Sequence, residues 1–112
     1  MIRAAASILF ISATAVLADD LSLACAGKDW SLDLAGDRGT LMFPEAVEMD
    51  LMLTTPAHGL DWPKALTLVG ARDTAIVILD EVSCGNGTHE AQVLTQRGQT
   101  PYFLTGCCGP LP

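Results

Sequence analysis

Two adjacent cysteines near the carboxyl end, Cys107 and Cys108, constrain the fold more than any other feature of the sequence. The other two cysteines are Cys25 and Cys84. Four cysteines in a short exported chain predict two disulfides. Of the three possible connectivities, the one that joins Cys107 to Cys108 forces a strained ring across a single peptide unit and is disfavoured. Each of the other two fastens the adjacent pair to both Cys25 and Cys84, and the sequence leaves open which sulfur takes which partner.

Adjacent cysteines in a strand have a simple structural use. Neighbouring side chains of a β-strand point to opposite faces, so Cys107 and Cys108 can bond to partners on different sides of their strand. One bridge can hold the last hairpins together while the other holds the amino-terminal segment. A metal site built from Cys84, His89, Cys107 and Cys108 matches no zinc spacing, and we expect no metal and no cofactor.

The amino terminus predicts export. Arg3 precedes the apolar run "AAASILFISATAVL", which ends at Ala18 and is followed directly by two aspartates. This is the layout of a secretory signal peptide, and its apolar run is shorter than the roughly 20 residues of a spanning helix. We therefore expect a signal peptide over residues 1–18, a single β domain over 19–112, and a periplasmic or secreted protein without stable membrane insertion. An uncleaved membrane anchor is the alternative.

The charge balance limits the partners. Without Arg3 the chain has five basic residues against thirteen acidic ones, a formal charge of −8. Such a surface repels phosphate backbones and anionic membranes, which argues against nucleic acid as a ligand. It favours a cationic protein as partner, although acidic residues also serve solubility alone. The oligomeric state is not predicted.

Period-two patterns dominate the sequence after the signal peptide, and no stretch has a helical period. "VEMDLMLTT" sets Val47, Met49, Leu51 and Leu53 on one face, as a half-buried strand does. The predicted strands are 21–25, 29–35, 40–43, 47–54, 65–70, 74–84, 88–96 and 100–107. Eight short strands joined by tight turns predict an antiparallel all-β domain, and closure into a small disulfide-stapled barrel is favoured because it removes sheet edges. An open β-sandwich is the alternative.

Turn residues separate these strands. In "SCGNGTHE", Asn86-Gly87 predicts a two-residue hairpin turn between the sixth and seventh strands. "AGDRGT", "GARD" and "QRGQT" predict three more tight connections. The one long connection is "TPAHGLDWPK", residues 55–64, and a loop of this kind is where binding residues usually lie.

Candidate functional residues are few. No serine, histidine or cysteine lies in a catalytic motif, so we predict no catalytic residues. The long connection offers His58, Asp61 and Trp62 as a possible partner-binding loop, with Trp62 either covering one end of the barrel or presenting an aromatic anchor. Trp30 is predicted to fill the core. His89 is interpreted as a solvated hairpin residue.

Three segments resemble a family of small exported bacterial proteins without an assigned activity. They are "CAGKDWSLDL" after the signal peptide, the lone cysteine of "VSCGNGTH", and the terminal "LTGCC". The resemblance implies a shared cysteine framework and an envelope location, and it implies no activity. More distantly, the expected fold and charge are similar to those of the disulfide-stapled β-barrel inhibitors of c-type lysozymes, whose targets are cationic.

The sequence thus predicts a non-enzymatic exported domain with a structural or binding role in the cell envelope. An acidic inhibitor of a cationic enzyme, such as a c-type lysozyme, is one alternative. A thiol- or disulfide-active protein is the other, although the sequence has no C-x-x-C motif.

Overall fold

The computed structural model describes residues 21–112, which form eight antiparallel β-strands. The strands are β1 (Ser22–Gly27), β2 (Trp30–Ala35), β3 (Arg38–Met42), β4 (Ala46–Pro56), β5 (Lys64–Val69), β6 (Thr74–Asp80), β7 (His89–Arg97) and β8 (Thr100–Pro110). Each strand pairs with the next and β8 pairs with β1, so the sheet closes. The predicted barrel is confirmed, and the open sandwich is not formed. The predicted signal peptide, residues 1–18, lies outside the described residues.

Alternating apolar side chains fill the inside of the barrel. In β2, Leu32 and Leu34 are completely buried, while Asp33 between them is exposed. In β6, Val77 and Leu79 are buried inside the barrel in the same way, with the half-buried Ile78 between them. Burying a side chain of this size stabilises the fold by roughly 1.5–3 kcal/mol. No helix within residues 21–112 has the length and apolar character needed to span a membrane.

Strand β4 departs from the simple alternation that its sequence predicts. Met49 is buried and Leu51 half-buried, as expected, but Leu53 is 61% exposed. The register with β5 shifts between Leu51 and Leu53, which marks a β-bulge. A bulge inserts one extra residue, so every side chain after it changes face. Leu53 therefore points outward, opposite Thr67 of β5, whereas Thr54 is opposite the buried Leu66.

The connection between β6 and β7 also differs from the prediction. Strand β6 ends at Asp80 rather than at residue 84, and eight residues, 81–88, link it to β7. Within this connection the backbones of Cys84 and Gly87 hydrogen-bond to each other, so the two central turn residues are Gly85 and Asn86. Gly85 has the positive φ (57°), as the first central residue of a type II′ turn requires. The predicted Asn86-Gly87 turn is therefore wrong by one residue.

The two disulfides resolve the connectivity that the sequence left open. Cys25 is bonded to Cys108, and Cys84 is bonded to Cys107. Cys25 and Cys108 face each other across the β1–β8 pairing and are buried inside the barrel. Cys107 points to the outside of β8, where it holds the 81–88 connection. The predicted double anchoring of the last strand is confirmed.

Close backbone packing accompanies the β1–β8 closure. Gly27 and Gly106 are opposite each other in this pairing, and the indole of Trp30 lies over both. The indole Nε1–H donates a hydrogen bond to the carbonyl oxygen of Thr105 at 3.0 Å. A Cβ on Gly106 would collide with the carbonyl of Ala26 and would come within 2.8 Å of the Trp30 ring. The sheet thus closes through glycines because only they leave room for the ring.

We expect the inner disulfide to contribute more stability than the outer one. The Cys25–Cys108 bridge spans 83 residues and the Cys84–Cys107 bridge spans 23. On the chain-entropy model this difference is worth about 1 kcal/mol, and the cavity left by a buried pair adds to it. Denaturant unfolding should therefore show a larger loss for C25A/C108A than for C84A/C107A. Equal losses in the two double variants would contradict this assignment.

Gly106→Ala should destabilise the barrel by about 1–3 kcal/mol, because the added methyl group has to displace backbone or the Trp30 ring. Gly109 lies on the same strand and has open space where its Cβ would be, so Gly109→Ala is the matched control. We expect the control to change the free energy of unfolding by less than about 0.5 kcal/mol. Thermal or denaturant unfolding of both variants measures the difference, and a neutral Gly106→Ala would show that the closure is not tightly packed.

Candidate functional site

The up-and-down order of strands gives the barrel two different ends. At one end lie the two long connections, 57–63 and 81–88, together with the amino-terminal Leu21, and we call this the loop-side end. At the other, the turn-side end, the connections are 28–29, 43–45, 70–73 and 98–99. Candidate binding residues from the sequence all fall at the loop-side end. The structure places a groove there.

The loop-side groove has a volume of about 560 Å³ and reaches into the barrel mouth. Its floor is apolar and is formed by core leucines, and its rim is polar. Floor and rim residues include Leu23, Leu66, Leu79, Asp61, Lys64 and His89. An apolar floor with a few polar groups at the edge is the usual composition of a site that receives a side chain or a small molecule.

Trp62 is held over this groove by two contacts. The Nζ atom of Lys64 lies 4.4 Å from the centroid of the indole, within the range of a cation–π interaction. The ring of His89 lies 5.0 Å from the indole at an interplanar angle of 58°. Trp62 is half-buried and packs against the hydrophobic core. These contacts agree with the predicted role of Trp62 as a cover for one end of the barrel.

The three residues predicted as a partner-binding loop are only partly brought together. Asp61 and Trp62 line the groove. His58 does not; it lies in a separate, shallow depression formed by residues 56–61. His58 is exposed, as is the neighbouring Leu60, whose exposed fraction is 61%. The loop thus presents His58 and Leu60 to solvent and turns Trp62 inward.

Lys64 and His89 belong to the site but were missed as site residues in the sequence. Lys64 is the first residue of β5 and His89 is the first residue of β7. In an up-and-down barrel, alternate connections lie at the same end, so the first residues of β5 and β7 are both next to the long loop. This topological relation was available in the predicted strand order. His89 is half-buried against Trp62 rather than freely solvated.

Charge is distributed unequally between the two ends. The long connections and the strand residues beside them carry four acids, Asp61, Asp80, Glu81 and Glu90, against the single base Lys64. We call these four residues the acidic patch. The 36–37 turn at the same end adds one acid and one flanking base, Asp37 and Arg38, which cancel. The turn-side connections and their flanking residues carry three bases, Lys28, Arg72 and Arg97, against three acids, Asp29, Glu45 and Asp73. The negative potential is therefore concentrated where the groove opens.

A second hollow, at the turn-side end, is organised by Arg97. Its Nε donates a hydrogen bond to the carbonyl oxygen of Phe43 at 2.7 Å, and its Nη1 lies 3.6 Å from a carboxylate oxygen of Asp73. Tyr102 packs edge-on against the Phe43 ring, with 4.9 Å between centroids. These contacts tie the β3–β4 connection to the β7–β8 hairpin. The guanidinium is thus engaged in holding the fold.

The described residues include all four cysteines, and every one of them is in a disulfide. Nor do residues 21–112 contain a group of three or more histidine, cysteine, aspartate or glutamate side chains arranged to hold a metal ion.

Trp62→Ala should destabilise the barrel by about 1–2 kcal/mol, because it removes the contacts with Lys64 and His89 and opens the leucine floor to water. The magnitude is below that of a fully buried tryptophan because Trp62 is half-buried. Leu60→Ala, two residues away and largely exposed, is the matched control and should be close to neutral. Denaturant unfolding of the two variants makes the comparison. Equal effects would show that the indole does not cover the barrel.

No protein-family model, no curated protein and no solved structure matches this chain at a significant level. The resemblance to small exported bacterial proteins therefore stays a prediction from the cysteine and tryptophan pattern. Fold, groove and charge are the observations on which a function has to be argued.

Proposed function

We propose that this chain is a non-enzymatic binding domain of the cell envelope, which uses its loop-side end to bind a cationic protein. The observation that carries the proposal is the segregation of charge. The acidic patch lies beside the only two long connections among residues 21–112, while the turn-side end is balanced. A concentrated negative potential speeds the encounter with a cationic partner and orients it.

The groove supports the proposal because it adds apolar contact to the electrostatic attraction. Charges at the rim of an interface mainly set the rate of association and contribute modest affinity, whereas apolar anchors supply most of the affinity. Leu60 offers an exposed apolar side chain, and the groove beside Trp62 can receive one from the partner. Attraction and anchoring are thus combined on one surface.

The covalent framework and the amino-terminal sequence support an exported location. Two disulfides that involve all four cysteines persist in an oxidising compartment such as the periplasm or the extracellular space. The predicted signal peptide over residues 1–18 provides the route to it. The family resemblance drawn from "LTGCC" and "VSCGNGTH" supports the same location.

Inhibition of a cationic enzyme is the more specific form of this function. The acidic patch and the stapled barrel favour it, since a c-type lysozyme is a cationic target that the envelope meets. Thiol chemistry is supported less well, because all four sulfurs are bonded.

The test is binding of the purified chain to a c-type lysozyme by calorimetry at low and high salt. We expect the affinity to fall as salt rises, and D61N/E81Q to weaken binding by about tenfold or more. D29N/E45Q removes the same number of charges from the turn-side end and should bind like the parent chain. Equal weakening in both double variants would contradict the loop-side assignment, and an absence of binding at low salt would contradict a target of this class.

A lytic assay in the same samples separates the two forms of the proposal. Loss of lysozyme activity on binding supports an inhibitor. Binding without loss of activity supports a binding domain that is not an inhibitor.

A further inference from the structure

One outer face of the barrel carries no charge. The segments 65–69, 74–78, 92–96 and 101–105 form the central parts of β5, β6, β7 and β8, and none of them contains an acidic or basic residue or a histidine. We call their outward side the neutral face. The outer side of β2, β3 and β4 is different, since it carries Asp33, Arg38, Glu48 and Asp50.

Large apolar side chains form a continuous row across the neutral face. Ile76 pairs with Leu94, and Leu94 pairs with Phe103, so three neighbouring strands present them at one height. Their exposed fractions are 42%, 49% and 59%. On the other side of Ile76 the row continues through Thr67 to Leu53. A contiguous exposed apolar patch of this kind marks an interaction surface.

Charge at the two borders of this face indicates what covers it. Asp80, the last residue of β6, borders the face at the loop-side end, and Arg72, in the 70–73 connection before β6, borders it at the turn-side end. Asp80 is four residues beyond Ile76 in the strand, roughly 13 Å at about 3.3 Å per residue. Within residues 21–112 neither Arg72 nor Asp80 forms an ion pair.

Opposite charges at opposite borders of the face fit a two-fold axis. If a second copy packs with its strands antiparallel and the axis passes near Ile76, the Arg72 of each copy meets the Asp80 of the other. In such an isologous contact, the same ion pair between Arg72 and Asp80 forms at both borders of the face. An anionic lipid surface would instead be repelled by Asp80 and by Glu90, which is opposite it in the β6–β7 pairing.

We propose that the neutral face binds a second copy of this chain in an antiparallel, two-fold symmetric dimer, with Arg72 paired to Asp80 at both borders. On this face two acidic molecules approach without placing like charges of the central strand segments opposite each other. Because the sheet is a closed barrel, only the strands that carry the row, β6 to β8, face a partner at once, and with three rows of side chains they cover roughly 14 Å by 20 Å, about 300 Å². This is well below the roughly 800 Å² per partner of a standard interface, so we expect a weak dimer that exchanges rapidly.

Sedimentation velocity of the purified chain, from about 10 µM to about 1 mM, tests the dimer directly. We expect a concentration-dependent shift from monomer to dimer. Leu94→Glu places a carboxylate near the axis of both copies and should raise the dissociation constant by about tenfold or more. Met42→Glu is the matched control, because Met42 has a similar exposed fraction of 46% but lies on β3, and it should leave the dimer unchanged.

Charge reversal tests the arrangement without touching the apolar row. Arg72→Glu alone should weaken the dimer several-fold through repulsion by Asp80, and R72E/D80R should restore it. Circular dichroism of every variant checks that the barrel is folded. A monomer at all concentrations, equal effects of Leu94→Glu and Met42→Glu, or failure of the double reversal to rescue would overturn the proposal. So would binding to phospholipid vesicles without self-association.

Discussion

The structure depends on the alternation of side chains at Cys107 and Cys108. Because they are consecutive in a strand, one sulfur points into the barrel and the other points out. The inner sulfur bonds to Cys25 on β1 and fixes the closure of the sheet, while the outer one bonds to Cys84 and fixes the 81–88 connection. Closure pairs every strand with two neighbours, which matters in a small domain that buries a limited core.

That closure also determines where the functional surfaces lie. The 81–88 connection is held against β8, so His89 begins β7 close to the long 57–63 loop and meets Trp62. Trp62 then covers the leucine floor together with Lys64. The groove exists because a covalent restraint and an aromatic side chain act at the same end of the barrel. The acidic patch lies at that end because Asp80, Glu81 and Glu90 lie in or beside the restrained connection.

Most of the fold could be predicted from local patterns, whereas the site could be predicted only in part. Alternation and turn residues define eight strands in the right order, and the adjacent cysteines predict a doubly anchored final strand. The bulge before Leu53 could not be seen, since a bulge depends on the pairing register with β5 rather than on local sequence. Asn86-Gly87 misled because the Cys84–Cys107 bond sets the turn at Gly85-Asn86. His89 was interpreted as a solvated hairpin residue, although the predicted strand order already places the first residue of β7 at the same end as the long loop.

The acidic patch and the neutral face share a border at Asp80 and Glu90, and this raises the question of whether they can be used together. In an antiparallel dimer the loop-side ends of the two copies point in opposite directions, because the two-fold axis reverses the strands. Asp61 and Trp62 lie on the mouth rather than on the outer face, so they stay free at both ends of the dimer. In the proposed dimer, pairing of Arg72 with Asp80 would neutralise one member of the patch and leave Asp61 and Glu81 for the proposed cationic partner. Self-association therefore doubles the number of binding ends in one particle, and a partner with two basic sites gains avidity from it.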